Sequence, residues 1–325
     1  MLLVGTKNGL FCYAGRDGRW ELERTALSDA QIGSVSTLRD SGQGRIAVGT
    51  FGDDAFESVN GGETWAHILG ATHVWSTGYS LDGSLFVGVE PAGIYRRRAG
   101  EELLQPLDSV SELPTYSTWN FPTSPYMPNI RWLIFSQERA DTVYAGVEVG
   151  GVLRSDDAGL AWKELREGLH LDIHSVAVAS GDEDVLYAAT GRGFYRSQDR
   201  GDTWQSTSDG FNGIYLVPIA AHAQRADVVF SASTDGRPRY WRDRDQGAAA
   251  TVYRTKDDGI TWKAVLGEPP DTLRASVDAL VMDRDVPDTV YAGTLDGKVY
   301  AGESLGDSWS VIADGLPAIR AMAVL

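Results

Sequence analysis

Short apolar runs with strand-like alternation recur along the whole chain, each closed by glycine or a polar turn. Leu3–Thr6, Ile46–Thr50, Leu85–Val89, Val143–Val147, Leu186–Thr190, Val228–Ser231 and Val290–Thr294 follow one Val-Tyr-Ala-Gly-Thr-like pattern, an apolar start running into Thr, Val or Ser. A glycine turn then leads into a strand such as Gly193–Arg196 or Lys298–Ala301. Another apolar strand precedes each unit, as in Ser175–Ala179 or Val277–Val281. The pattern predicts four antiparallel strands per repeat, A to D.

The turn between strands C and D carries a second signal. Ser58-Val-Asn60-Gly-Gly62-Glu-Thr64-Trp65 returns at 155–162, 197–204 and 255–262, with weaker copies ending at Trp20 (Gly18-Arg19-Trp20) and Trp309. The Asp or Asn side chain accepts backbone N–H groups of its own turn, and the glycine takes a left-handed conformation. The Trp supplies apolar surface between neighbouring sheets. These acids are therefore structural. Within uninterrupted stretches the box tryptophans fall roughly 42 to 47 residues apart, a period typical of propeller blades. The double interval from Trp65 to Trp162 hides a blade at Leu85–Leu104 without Trp or box, and the long step to Trp262 contains an insertion. The count is seven. The fold expected is all-β, a single seven-bladed propeller over residues 1–325, in which Ile319–Leu325 supplies the inner strand of a blade begun at the N-terminus.

The net charge of −16 argues against nucleic acid and against anionic membranes. With one cysteine, no long apolar run and no leader-like start, a cytoplasmic location is expected.

In a propeller the D–A and B–C loops share one face, and the boxes lie on the other. Two insertions fall on the first, ligand face: residues 106–129, with Tyr116, Trp119, Phe121 and Tyr126, and residues 234–250, rich in arginine. Strand-A starts and B–C turns place His73, Trp75, Arg131, Asp172, His174, Tyr215, Arg320, Glu90, Glu148 and Arg192 there. Glu90 and Glu148 occupy equivalent turns of adjacent blades, and His73 and His174 equivalent strand positions. Paired carboxylates beside arginine and histidine suit acid–base chemistry. Glu148, Glu90, His174 and Asp172 are the catalytic candidates. His73, Trp75, Trp119, Arg131, Arg192, Tyr215 and Arg320 are the ligand-binding ones. No cofactor is required, but His73, His174, Glu90 and Glu148 are the set that would hold a divalent metal. The plain alternative is a solvated polar funnel.

The boxes, together with Trp119–Pro122, Ile130–Trp132, Gly88–Pro91 and His174–Ala177, resemble the BNR/Asp-box repeat family. They are most similar to bacterial sialidase-like, glycosyl-hydrolase-like proteins. Sialidases themselves have six blades and an Arg-Ile-Pro motif that this chain lacks, so no sialidase catalytic residue is carried over. The expected function is a hydrolase or lyase with an acid–base site on the ligand face, acting on a small polar molecule or sugar derivative. A non-catalytic ligand- or protein-binding propeller and a metalloenzyme using His73 and His174 are the alternatives, and homo-oligomer formation stays open.

Overall fold

The computed structural model describes residues 1–16, 19–39, 44–52, 54–70, 72–241 and 243–325. Gly18 of the weakest box copy lies outside them. The described residues form seven four-stranded antiparallel sheets arranged as the blades of a propeller. The inner strand of blade 1 is Ile319–Val324, which pairs antiparallel with Leu2–Thr6 and closes the ring. The terminal residues add backbone bonds, Leu325 N–H to the Met1 carbonyl at 2.9 Å and Lys7 N–H to the Ala318 carbonyl.

Blade 5 shows why these sequences make this unit. Ile173–Ala179, Asp182–Thr190, Gly193–Ser197 and Gln205–Ser206 pair in that order, with the box 197–204 on the last turn. Ser197 Oγ accepts the Gly201 N–H at 2.8 Å, and Asp199 Oδ1 accepts the Thr203 N–H at 2.8 Å. The turn is satisfied from within. Trp204 is buried among Val152 and Leu165 of blade 4 and Leu186 of its own blade. Gly201, at φ 88°, takes a backbone conformation that a side chain would strain.

A second device links blades on the box face. An arginine near the end of strand C reaches the next blade's box. Arg154 Nη1 donates to the Arg200 carbonyl at 2.9 Å, Arg96 to that of Ala158, and Arg254 to that of Leu305. Ala158, Arg200 and Leu305 all have positive φ, which characterises this box position. Two open grooves of about 470 and 300 Å³ also lie here, lined by residues such as Arg139, Asp156 and Arg200, and Asp82, Arg98 and Asp157. Arg200 pairs with Asp156 there, and Asp82 and Asp157 hold their own turns.

Blade 3 has no box tryptophan, and a buried ion pair takes over. Glu57 of blade 2, 5% exposed, accepts Arg97 Nη2 on both oxygens at 2.7 Å and the Tyr79 hydroxyl at 2.9 Å. Breaking one side of a buried pair leaves the partner charge uncompensated. Glu57→Gln should therefore cost about 3–5 kcal/mol in urea unfolding. A loss below about 1 kcal/mol would show that blades 2 and 3 are held by packing instead.

Candidate functional site

Six inner strands carry an extra residue near their start relative to the strand they pair with. The register shifts fall at Gly33, Trp75, Arg131, His174, Asp278 and Arg320, and blade 6 shows the same irregularity at Val217–Pro218. A bulge breaks the alternation of faces and re-aims one side chain. Here it turns side chains from different blades toward the central channel on the ligand face. Four of the expected site residues, Trp75, Arg131, His174 and Arg320, are bulge residues.

The densest contacts come from blades 4 to 6. Arg131 Nη1 donates to Glu148 Oε2 at 2.6 Å, with Glu148 buried. Burial works against the Arg131 charge, but Glu148 more than offsets it and holds the guanidinium protonated. His174, 1% exposed, directs Nδ1 to the Leu216 carbonyl at 2.5 Å and Nε2 toward Asp172 Oδ1 at 3.4 Å. Tyr215 packs on the His174 ring at 4.6 Å. Burial, and next the nearby carboxylates against the opposing Arg131, push its hydroxyl well above the ordinary tyrosine range. Gly191 lets the Asp172 carboxylate lie against the backbone, since a Cβ there would stand 2.1 Å from Oδ2.

Glu90 and Glu148 occupy equivalent turns but engage different groups. Glu90 Oε2 accepts the Trp75 indole N–H at 2.9 Å, and the Trp75 ring lies 6.0 Å from the Arg131 guanidinium carbon. Phe51 and Phe121 pack against Trp75 at 4.7 and 5.6 Å. His73 stands opposite Glu90 in the strand register. Arg192 is exposed on its turn. Burial lowers the proton affinity of His170, and the charges of Arg192 and Arg237 lower it further.

Three expectations change. The four-residue metal set is replaced: among the described residues, Glu148, Asp172 and His174 each offer a ligand atom, all within 4.8 Å of one another, and neither His73 nor Glu90 joins them. That triad has the spacing to coordinate a divalent metal. Trp119 is not a surface for stacking. It is 5% exposed within the cluster of Ala92, Ile130 and Val147, and its indole N–H donates to Thr115 Oγ1 at 2.9 Å. It pins the insertion to blades 3 and 4. Trp119→Ala should cost about 3–5 kcal/mol, with earlier proteolytic cleavage between residues 107 and 129. Pro106 and Thr234, expected in the insertions, end strands instead.

One site residue was missed. Asp278, in the bulge of blade 7, accepts the Ser276 hydroxyl at 2.7 Å and feels the charges of Arg320 and Arg131. Burial nevertheless raises its pKa. The signal was present: an aspartate at the second position of the apolar strand Val277–Val281, where the other blades place His174, Arg131 and Trp75. Beside Glu148, Asn129 is fully buried and gives its carbonyl to the Glu148 N–H.

Fold and site together define a seven-bladed propeller whose channel mouth is lined by carboxylates, histidine, arginine and aromatic rings. Among known proteins the chain is similar to xyloglucanases. It is 29% identical over 213 residues to Xyloglucanase Xgh74A of Acetivibrio thermocellus, a match covering 58% of this chain and 25% of that one. It is 23% identical over 258 residues to a xyloglucanase of Hypocrea jecorina, covering 71% and 31%. The chain thus spans about a quarter to a third of these curated relatives. An ancestral GH74 enzyme superposes with a TM-score of 0.69 at 17% identity, over 88% of this chain and 39% of that one. YCF48 bound to D1 peptide superposes at 0.61 and 17%, over 90% and 84%. At these identities the structural likeness establishes the fold. No family model matches the chain. The expected sialidase-like kinship is corrected by these matches, which are to GH74 xyloglucanases, and they lend no support to a cytoplasmic placement. No helix among the described residues is long and apolar enough to cross a membrane.

Proposed function

We propose that this chain is a sugar-acting hydrolase whose reaction takes place at the channel mouth. The observation that carries the reading is the convergence of Glu148 with Arg131, Asp172 with His174, Tyr215 and Asp278 from four consecutive blades. Similarity to several xyloglucanases supplies the substrate class.

Hydrolysis of a glycosidic bond needs a proton for the departing oxygen and an activated water for the anomeric carbon. Asp278 is the proton donor, because burial favours its protonated form. Glu148, Asp172 and His174 activate the water. The water oxygen bonds to the anomeric carbon, the glycosidic C–O bond breaks, the water's proton passes to this cluster, and the Asp278 proton goes to the leaving oxygen. Trp75, held by Glu90, offers a face to a sugar ring, and Arg320 and Arg192 bind polar substituents. The test is turnover of a panel of β- and α-linked oligosaccharides, xyloglucan fragments included, by the wild type and by Glu148→Gln. Hydrolysis of one of them, reduced at least 100-fold in the variant, supports the reading; no turnover of any removes it.

One observation favours a second reading. YCF48 bound to D1 peptide matches this chain over 84% of its own length, against 39% for the ancestral GH74 enzyme. A single propeller of this size that binds a peptide on the same face would show saturable peptide binding without glycan turnover.

A further inference from the structure

We infer that Glu148, Asp172 and His174 form a binding site for one divalent cation of the zinc or manganese type. This deepens the hydrolase reading, on which it rests only for the ion's role as water activator.

Three features of the triad carry the inference. The first is the imidazole. A carbonyl oxygen only accepts, so the 2.5 Å contact with Leu216 places the proton of a neutral His174 on Nδ1 and leaves a lone pair on Nε2. That lone pair faces Asp172 Oδ1 at 3.4 Å. An imidazolium paired with the carboxylate would close to about 2.8 Å. Two ligands about 2.1 Å from one tetrahedral ion stand about 3.4 Å apart. A histidine oriented by a backbone carbonyl through its other nitrogen is the usual arrangement at a metal.

The second feature is the carboxylates. Asp172 Oδ1 is buried and accepts no hydrogen bond among the described residues, its polar neighbour being His174 Nε2 at 3.4 Å, so its lone pairs are open to an ion. Gly191 provides the room for this carboxylate, since a Cβ would stand 2.1 Å from its other oxygen. Arg131 holds one oxygen of Glu148, as hydrogen-bonding partners hold carboxylates that ligate a metal.

The third is the coordination the triad leaves. One nitrogen and two oxygen ligands leave a position open for water or substrate, as at catalytic zinc centres, and the imidazole selects against calcium and magnesium.

The experiment is titration of the full-length protein, first stripped with chelator, with Zn²⁺ and Mn²⁺ separately by calorimetry, with retained metal measured after dialysis. One ion per chain is expected, with affinity reduced at least tenfold in His174→Ala and in Asp172→Asn. His67→Ala should bind as the wild type does, because His67 and Asp54 make an exposed His–carboxylate pair, Nε2 to Oδ1 at 2.5 Å, outside the triad. Gly191→Ala provides a variant that keeps all three ligands and displaces only Asp172, and it should also weaken binding. Thermal melting with and without metal checks that each variant is folded, and the wild type and His67→Ala should gain more stability from the ion than the triad variants do. No binding of either ion by the wild type, or equal binding by folded His174→Ala, overturns the inference. Since the titration contains no glycan, an ion-binding protein that hydrolyses nothing removes the hydrolase reading and leaves the cation site standing.

Discussion

Removing residues 319–325 should abolish the cooperative unfolding transition. Those residues form the inner strand of blade 1, and the rest of that blade lies at the opposite end of the sequence. Ile319, Met322 and Val324 are buried against Leu2, Val4, Ala279 and Tyr291. The cut would expose two or three large side chains, worth about 1.5–3 kcal/mol each, and free the paired edge of Leu2–Thr6. Thr37 of blade 2 would also lose its bond to the Val324 carbonyl at 3.0 Å. The sum, about 3–9 kcal/mol before the backbone bonds are counted, is comparable to the whole stability of many domains. A propeller also has no partial solution, because an open ring leaves two inner faces without neighbours. Circular dichroism and calorimetry of the truncated chain check this. A soluble truncation melting in one sharp transition would show that six complete blades and a remnant suffice.

Asp278→Asn should lower glycan hydrolysis by about 10²–10⁴-fold, the contribution of a positioned general acid. The loss should depend on the leaving group. A substrate whose departing oxygen needs no proton, such as a nitrophenyl glycoside, should suffer far less. The pH profile gives an independent check. A donor acts in its protonated form, so wild-type kcat/KM should fall as pH rises through the raised pKa of Asp278, and the variant should lose that limb. Stability should move the other way. A folded-state pKa raised above the unfolded value contributes stability at low pH that is lost as pH rises through it. Ionisation of the aspartate therefore destabilises the fold above that pKa, where the neutral asparagine should leave stability unchanged or improve it. A variant with full activity on natural glycans, or one that loses activity by unfolding, would remove Asp278 from the role.

Much of the architecture was legible because each blade repeats its instructions locally. Box, glycine turn and strand alternation recur within one period, and each staples a turn from side chains a few residues apart, as Ser197, Asp199 and Thr203 do. Ring closure was legible for the same reason: an apolar strand at 319–325 matched the inner strand that the N-terminal unit lacked. The site was legible in part. Positional equivalence between blades located Arg131, Glu148, Asp172, His174 and Tyr215. Alternation failed where the bulges intervene, because one extra residue exchanges the faces and the pattern of apolar positions does not record it. Asp278 was passed over as a polar interruption in an apolar strand, although Trp75, Arg131 and His174 at the equivalent positions were recognised.

Trp119 shows the other limit. An aromatic residue in a proline-containing insertion reads equally as a stacking surface or as an anchor, and its packing against Ala92 and Val147 makes it an anchor. The regrouping of the metal candidates has a similar origin. The expected equivalence of His73 and His174 does not hold, because Trp75 occupies the bulge position in blade 3 that His174 occupies in blade 5, while Asp172 reaches His174 within one strand start. By itself the sequence determined the repeating unit, the seven blades, their closure and the face on which polar side chains gather, since all of these follow from local turn chemistry and periodicity. The tertiary structure alone decided which of those side chains meet, because the curvature of the ring and the bulge in each inner strand, not distance along the chain, set what lies within hydrogen-bonding reach.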